Sequence, residues 1–203
     1  MKAFWEQRYG DKEYAYGTEP NQYFKTNLSG LKPGKILMAA EGEGRNAVYA
    51  ASQGWEVVAY DWSENAQKKA MKLAKQKGIK LDYQLASLQE LNFDKQSFDA
   101  IALIYVHFPE AIRAQNHSRI YSWLKPEGHI ILEAFSKSHW SLSKKNPAAG
   151  GPKELSQLYS LEVGEDFQNS SIIQLSEDKI QLNEGIYHQG QAQVIRLFAK
   201  KNF

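Results

Sequence analysis

A chain of 203 residues that is 42% hydrophobic carries enough apolar material for one compact domain around a single core. Its 25 basic and 23 acidic residues leave a formal charge of +2, so no global field draws it to nucleic acid or anionic lipid, and neither is expected as a partner. The lack of cysteine removes disulfide frameworks, thiolate metal sites and a cysteine nucleophile, and fits a reducing, cytoplasmic compartment; no segment approaches the ~18 apolar residues of a membrane span.

Residues 1–24 hold seven aromatics, Phe4, Trp5, Tyr9, Tyr14, Tyr16, Tyr23 and Phe24, ahead of any strong strand signal. Such a segment is either a helix packed on the core or a lid over a ligand. From "LKPGK" onward short apolar runs alternate with amphipathic ones, and Ile36–Ala40, Val57–Tyr60, Leu81–Leu85 and Ala100–Ile104 read as strands. The clearest helix is Glu64–Lys77, opened by Ser63 as N-cap and closed by Gly78, with Ala66, Ala70, Leu73 and Ala74 on one face and lysines on the solvated one. Pro109 suits the first turn of a helix running toward Trp123, and "KPEG" reads as a turn before the strand "HIILEAF". Residues 136–153 read as a long polar connection of the functional or mobile kind. The runs "SIIQLSEDKIQLNEG" and "QAQVIRLFAKK" have no helix between them and read as a hairpin. Together these predict an α/β fold: a doubly wound, mostly parallel sheet with an antiparallel strand at its C-terminal end.

The stretch "ILMAAEGEGRNA" carries the chemistry. Gly42-Glu43-Gly44-Arg45-Asn46-Ala47 satisfies G-x-G-x-x-G/A, and Asp61 closes the next strand nineteen residues after Gly42, which is dinucleotide spacing. A dinucleotide sets a pyrophosphate against this turn and the helix N-terminus, where Glu41 and Glu43 oppose it, each pair at ~4 Å costing on the order of 1 kcal/mol even in high dielectric. S-adenosylmethionine has no phosphate and carries an ammonium and a sulfonium, so the acids become an asset. Asp61 can accept hydrogen bonds from both ribose hydroxyls under either reading, and Trp62 can cover an adenine face or simply pack at the surface.

With these residues in view, the chain resembles the class I S-adenosylmethionine-dependent methyltransferases over nearly its whole length, which implies a seven-stranded, Rossmann-like sheet. More narrowly, "FWEQRYGDKEYAYGTEPNQYF", "AEGEGRNAVYAASQGWEVVAYDWS", "VHFP", "GGPK" and "LNEGIYHQG" resemble the tellurite-resistance and thiopurine-methyltransferase-like branch, which acts on small thiols, oxyanions or related soft nucleophiles. The chain departs from the usual pattern at Met38, where an Asp stands, at Ala40, where the first glycine stands and where alanine costs little if the backbone is extended, and at Ser87, where an Asp follows the third strand. Glu41 is the natural substitute, placed to attract the cofactor's ammonium.

The resemblance implies one domain over residues 1–203: an aromatic cap or lid over 1–34, a cofactor-binding core over 35–135, and a loop, helix and hairpin on the acceptor side over 136–203. Gly42 would approach the methionine part, Asp61 hold the ribose, and Trp62, Ser87 and Leu88 meet the adenine, with Ala40, Glu41 and Asn46 as further cofactor-binding residues. Ile104 and Tyr105 would floor the sulfonium, with Tyr9, Tyr14 and Tyr16 as lid aromatics, because an aromatic face attracts a cation. The expected partner is a small-molecule acceptor, and the chain a monomer or homodimer.

Methyl transfer is an in-line displacement that needs positioning and water exclusion, and a base where the acceptor must lose a proton. His107, just past the fourth strand, sits where open α/β sheets bind ligands, and His188 lies in the hairpin turn; each is a base candidate or a loop-capping histidine. The histidines show no H-x-x-H or H-E-x-x-H spacing, so no metal is expected. Arg45 either salt-bridges Glu43 or binds an anionic acceptor. An NAD(P)-dependent oxidoreductase and a non-catalytic S-adenosylmethionine-binding domain are the rival readings.

Overall fold

The computed structural model describes residues 2–203. Two helices, α1 (Lys2–Gly10) and α2 (Gln22–Ser29), precede β1 (Lys35–Met38), and then come α3 (Arg45–Ser52), β2 (Glu56–Asp61), α4 (Glu64–Gln76) and β3 (Asp82–Leu85). The second half runs β4 (Phe98–Ile104), α5 (Glu110–Ser122), β5 (Leu124–Phe135), α6 (Trp140–Lys145), β6 (Ser170–Glu184) and β7 (His188–Lys201). The strands form one seven-stranded sheet in the order β3-β2-β1-β4-β5-β7-β6, parallel from β3 to β5. β7 is antiparallel to both β5 and β6.

The central strands are covered on both faces, which explains their unbroken apolar runs. Ile36, Leu37, Ala100, Ile101, Leu103, Ile130, Ile131 and Leu132 are all fully buried. α4 follows its periodicity: Ser63 Oγ accepts from the Ala66 amide at 3.1 Å, and Ala66, Ala70, Leu73 and Ala74 are its buried face. Because β1 leads outward to β2 while β4 leads the other way to β5, the strand order reverses between β1 and β4, and a crevice for ligands opens above their C-terminal ends.

Three local expectations change. Pro109 has an extended backbone (φ −52°, ψ 141°) and is the N-cap of α5 rather than part of its first turn. "KPEG" lies inside β5, which absorbs it with Glu127 at φ 66° and a register shift against β4. Residues 136–153 are not a plain loop: short 3-10 turns at Lys137–His139 and Pro147–Ala149 flank α6, and buried His139 and Ala149 pin the segment to the sheet. Among the described residues no helix is long and apolar enough to cross a membrane.

Candidate active site

The turn after β1 is tethered between its two neighbouring strands, with the Ala39 amide donating to Ala102 O of β4 and the Glu41 amide to Tyr60 O of β2. Three of its residues are left-handed: Ala40 (φ 45°), Gly42 (φ 65°) and Gly44 (φ 86°). Gly44 is required sterically, since a Cβ there would stand 2.6 Å from Ala70 Cβ of α4. Ala40 is not extended as expected, so the alanine in place of the usual glycine carries real strain.

The three acids part company. Glu41 Oε1 accepts from the amides of Asn46 (2.9 Å) and Ala47 (2.7 Å), capping the N-terminus of α3, while its Oε2 has no partner among the described residues. Asp61 accepts from the Gly42 amide at 3.1 Å and the Ser63 amide at 3.0 Å. Neither carboxylate has an ion-pair partner, and burial pushes Glu41 up to about 7 and Asp61 up to about 6. Glu43 behaves differently: it is buried with Oε2 on the Ala15 amide (2.7 Å) and Oε1 on Lys69 Nζ (2.7 Å), so it anchors the N-terminal segment and its charge is already matched.

Arg45 does not pair with Glu43. Its guanidinium meets Glu184 Oε2 of the hairpin at 2.9 Å and donates to Tyr16 O at 3.2 Å. Asn46 likewise turns to the N-terminal segment, accepting from the Asn21 amide at 2.8 Å. Asn21 Nδ2 in turn donates to Glu133 (2.6 Å) and Glu184 (3.3 Å), and Glu133 ion-pairs with Arg196 at 2.7 Å. Of these network residues only Arg45 and Asn46 were named from the sequence, although one further signal was there: Glu133 and Arg196 are lone charges in apolar runs, and they are direct partners in the β5–β7 register.

The aromatic segment lies over the turn. The Tyr9 ring is buried, stacks on Trp5, and sets its hydroxyl 2.8 Å from where a Gly42 Cβ would be; Tyr83 donates to Gly42 O from the other side at 2.6 Å. Tyr16 reaches the hairpin, its ring 4.4 Å from that of His188. Tyr14 is placed elsewhere, donating to Lys69 O of α4 at 3.1 Å and packing near Val48 and Leu73. Two surface depressions, of about 560 Å³ beside Met71, Lys75 and Leu81 and about 230 Å³ beside Trp55 and His129, lie away from the turn.

Of the residues expected to meet the adenine, Trp62 is half-buried beside Asp61. Ser87 spends its amide and hydroxyl on Glu90, both at 2.7 Å, and Leu88 is buried in the main core cluster with Leu91 and Phe98. Ile104 packs half-buried against the cluster containing Met38 and Ala102. Tyr105 stands at φ 57° where β4 ends, and its buried hydroxyl has no hydrogen-bond partner among the described residues.

The two histidines exchange rank. His107 Nδ1 donates to Gln157 O at 2.9 Å and Nε2 accepts from the Phe135 amide at 3.2 Å, so both nitrogens are consumed by backbone, and burial lowers it to about 4. In this conformation it is a peg without a free lone pair. His188 Nδ1 donates to Glu184 at 3.1 Å, which fixes the tautomer and leaves Nε2 without a partner among the described residues. Its ring lies 4.4 Å from Tyr105 and 5.2 Å from Phe135. Among the described residues no group of three or more acidic or histidine side chains could hold a metal ion.

In sequence, residues 36–128 match the family model described as "Methyltransferase domain". No curated protein matches the chain. In structure, the chain is similar to a protein solved in work on the conversion of a disulfide bond into a thioacetal group during echinomycin biosynthesis, at a TM-score of 0.78 and 16% identity over 98% of this chain and 89% of that one. It is similar to a SAM-dependent methyltransferase from Methanosarcina mazei at a TM-score of 0.71 and 16% identity over 91% and 99% of the two chains. It also resembles TehB from Haemophilus influenzae at a TM-score of 0.71 and 14% identity, over 99% of this chain and 67% of that one. Residues 36–128 thus carry the match to the methyltransferase-domain model, and the chain has the Rossmann-like fold of methyltransferases, with the mostly parallel seven-stranded sheet and terminal antiparallel strand that were expected.

Proposed function

We propose that the chain is a cytoplasmic S-adenosylmethionine-dependent methyltransferase acting on a small-molecule acceptor, with a soft nucleophile such as a thiol or a chalcogen oxyanion as the best-matched class. One observation carries the cofactor: Glu41 on the glycine turn and Asp61 at the end of β2 are largely buried carboxylates with no ion-pair partner among the described residues, and burial raises both although Arg45 lies near enough to Glu41 to oppose it. A buried acid without a partner is costly and is relieved by a cationic ligand. A pyrophosphate fits poorly, because the α3 amides that would bind it are already taken by Glu41.

When bound, S-adenosylmethionine supplies an electrophilic methyl group and leaves as S-adenosylhomocysteine. Glu41 Oε2 would attract its ammonium, and Asp61 would accept from its ribose hydroxyls. Tyr16, Tyr105 and Phe135 exclude water around the acceptor. Where the acceptor carries a proton, His188 Nε2 would be the group that takes it.

Calorimetry and thermal shift with S-adenosylhomocysteine and with NADH test the reading together. Binding of the first with a raised Tm, and none of the second, is expected. A shift with NADH alone overturns it in favour of an oxidoreductase. Binding of the homocysteine product without turnover on thiol, selenite and tellurite panels would move the chain to a non-catalytic binding role.

A further inference from the structure

Glu184 is the point where the cofactor side and the hairpin meet. Its Oε2 receives both Arg45 (2.9 Å) and His188 Nδ1 (3.1 Å), and its Oε1 receives Asn21 Nδ2 (3.3 Å). The three charged or titrating side chains are largely buried: 9% of the Arg45 side chain, 16% of Glu184 and 5% of His188 are exposed. Arg45 is the first residue of α3, so the glycine turn fixes its position.

A carboxylate facing a histidine does two separable things. It orients the ring by accepting Nδ1–H, and, if its charge is unmatched, it favours the imidazolium. An imidazolium has no lone pair and is useless as a base. A guanidinium on the same carboxylate oxygen cancels the second effect and leaves the first.

We infer that Arg45 is a positioning residue for methyl transfer, holding Glu184 so that it fixes the His188 ring with Nε2 open while removing the net charge that would protonate it. The inference rests on the reading of His188 as the base. The other titratable groups around His188 are Tyr16 from the N-terminal segment, Tyr105 and His107 from the end of β4, and His139 from the turn after β5. None of these is a fixed cation, so the matching charge comes from Arg45. Burial lowers His188 to about 4 despite the carboxylate, and Glu184 is held down at about 2 by His188 and Arg45 together, against its own burial.

Long-range proton–nitrogen NMR of the histidine rings tests this without any turnover, with His188→Gln used to assign the signal. The wild type should show the neutral Nδ1–H tautomer with no titration near neutral pH. Arg45→Met should raise the His188 midpoint by about one pH unit or more, and Glu184→Gln should not raise it. Opening of the hairpin would raise the midpoint too, and unshifted signals of His107 and His139, which neighbour His188, together with those of the other two histidines, exclude it. An unmoved midpoint in Arg45→Met, or the same rise in both variants, overturns the role of Arg45. If His188→Gln keeps full methyl transfer, the base reading fails instead, whatever the midpoint does.

Discussion

Oε1 of Glu41 lies 2.7 Å from the Ala47 amide and 2.9 Å from that of Asn46, so the acid caps α3 and still keeps one oxygen free. Met38, where the resembled family has an acid, is buried at 1% exposure in a core cluster and offers no such group. On the proposed reading, Glu41 takes the missing residue's part from three positions further on. Glu41 sits at about 7 in the folded protein, and a cation binds its ionised form. Affinity for S-adenosylmethionine should rise as pH increases through 6 to 7, with proton release on binding near pH 6.5. Glu41→Gln should weaken binding by about tenfold or more and flatten that dependence. Calorimetry in buffers of different ionisation enthalpy measures both, and a pH-independent wild type would remove Glu41 from the cofactor site.

The Tyr9 hydroxyl stands 2.8 Å from where a Gly42 Cβ would be, so on the proposed reading, with the methionine part of the cofactor on Gly42, Tyr9 is the side chain that must give way. Tyr9→Ala should speed cofactor association several-fold in stopped flow. Gly42→Ala should do the opposite, since its Cβ would meet the Tyr9 hydroxyl at 2.8 Å and its φ of 65° is unfavourable for alanine. Equal association rates in Tyr9→Ala and wild type would mean that the segment is not the barrier.

Ala40 offers a test of backbone strain that is independent of ligand. A glycine in a helix or strand usually costs stability, but at φ 45° glycine relieves the steric penalty that alanine bears. Ala40→Gly should stabilise the protein by about 1 kcal/mol in urea unfolding. A loss of stability would show that the surrounding turn tolerates the left-handed alanine without penalty.

Much of this fold could be read from the sequence, because doubly covered strands need unbroken apolar runs and α4 needs a period of 3.6. The glycine turn and Asp61 were legible for the same reason: their spacing is set by one strand, one turn and one helix. Side-chain direction within the turn was not. Glu43 sits between two left-handed glycines, and the reversal there sends it to Ala15 and Lys69 while Glu41 faces the helix end. Nor could local pattern reveal that Arg45 meets Glu184, a partner 139 residues away brought over by the terminal hairpin. His107 was misleading because position at the end of β4 says nothing of whether its two nitrogens are already spent.

His107 is the base candidate whose geometry predicts a stability effect. Replacing it with glutamine removes at least one of its two backbone bonds and should cost about 1 kcal/mol at pH 7, leaving cofactor affinity unchanged. The pH dependence has a definite sign. His107 is at about 4 folded against an ordinary 6.5, so the unfolded chain takes up the proton first, and stability is lost as pH falls from 6.5 towards 4. Glu41 and Asp61 act in the other direction, their raised values making the folded protein lose stability as pH rises from about 4 to 7. His107→Gln should therefore flatten the acid limb of the stability curve by one proton and leave the neutral limb alone. Urea unfolding from pH 4 to 8 reads both limbs, and an unchanged acid limb would mean that the buried imidazole is protonated in the folded state.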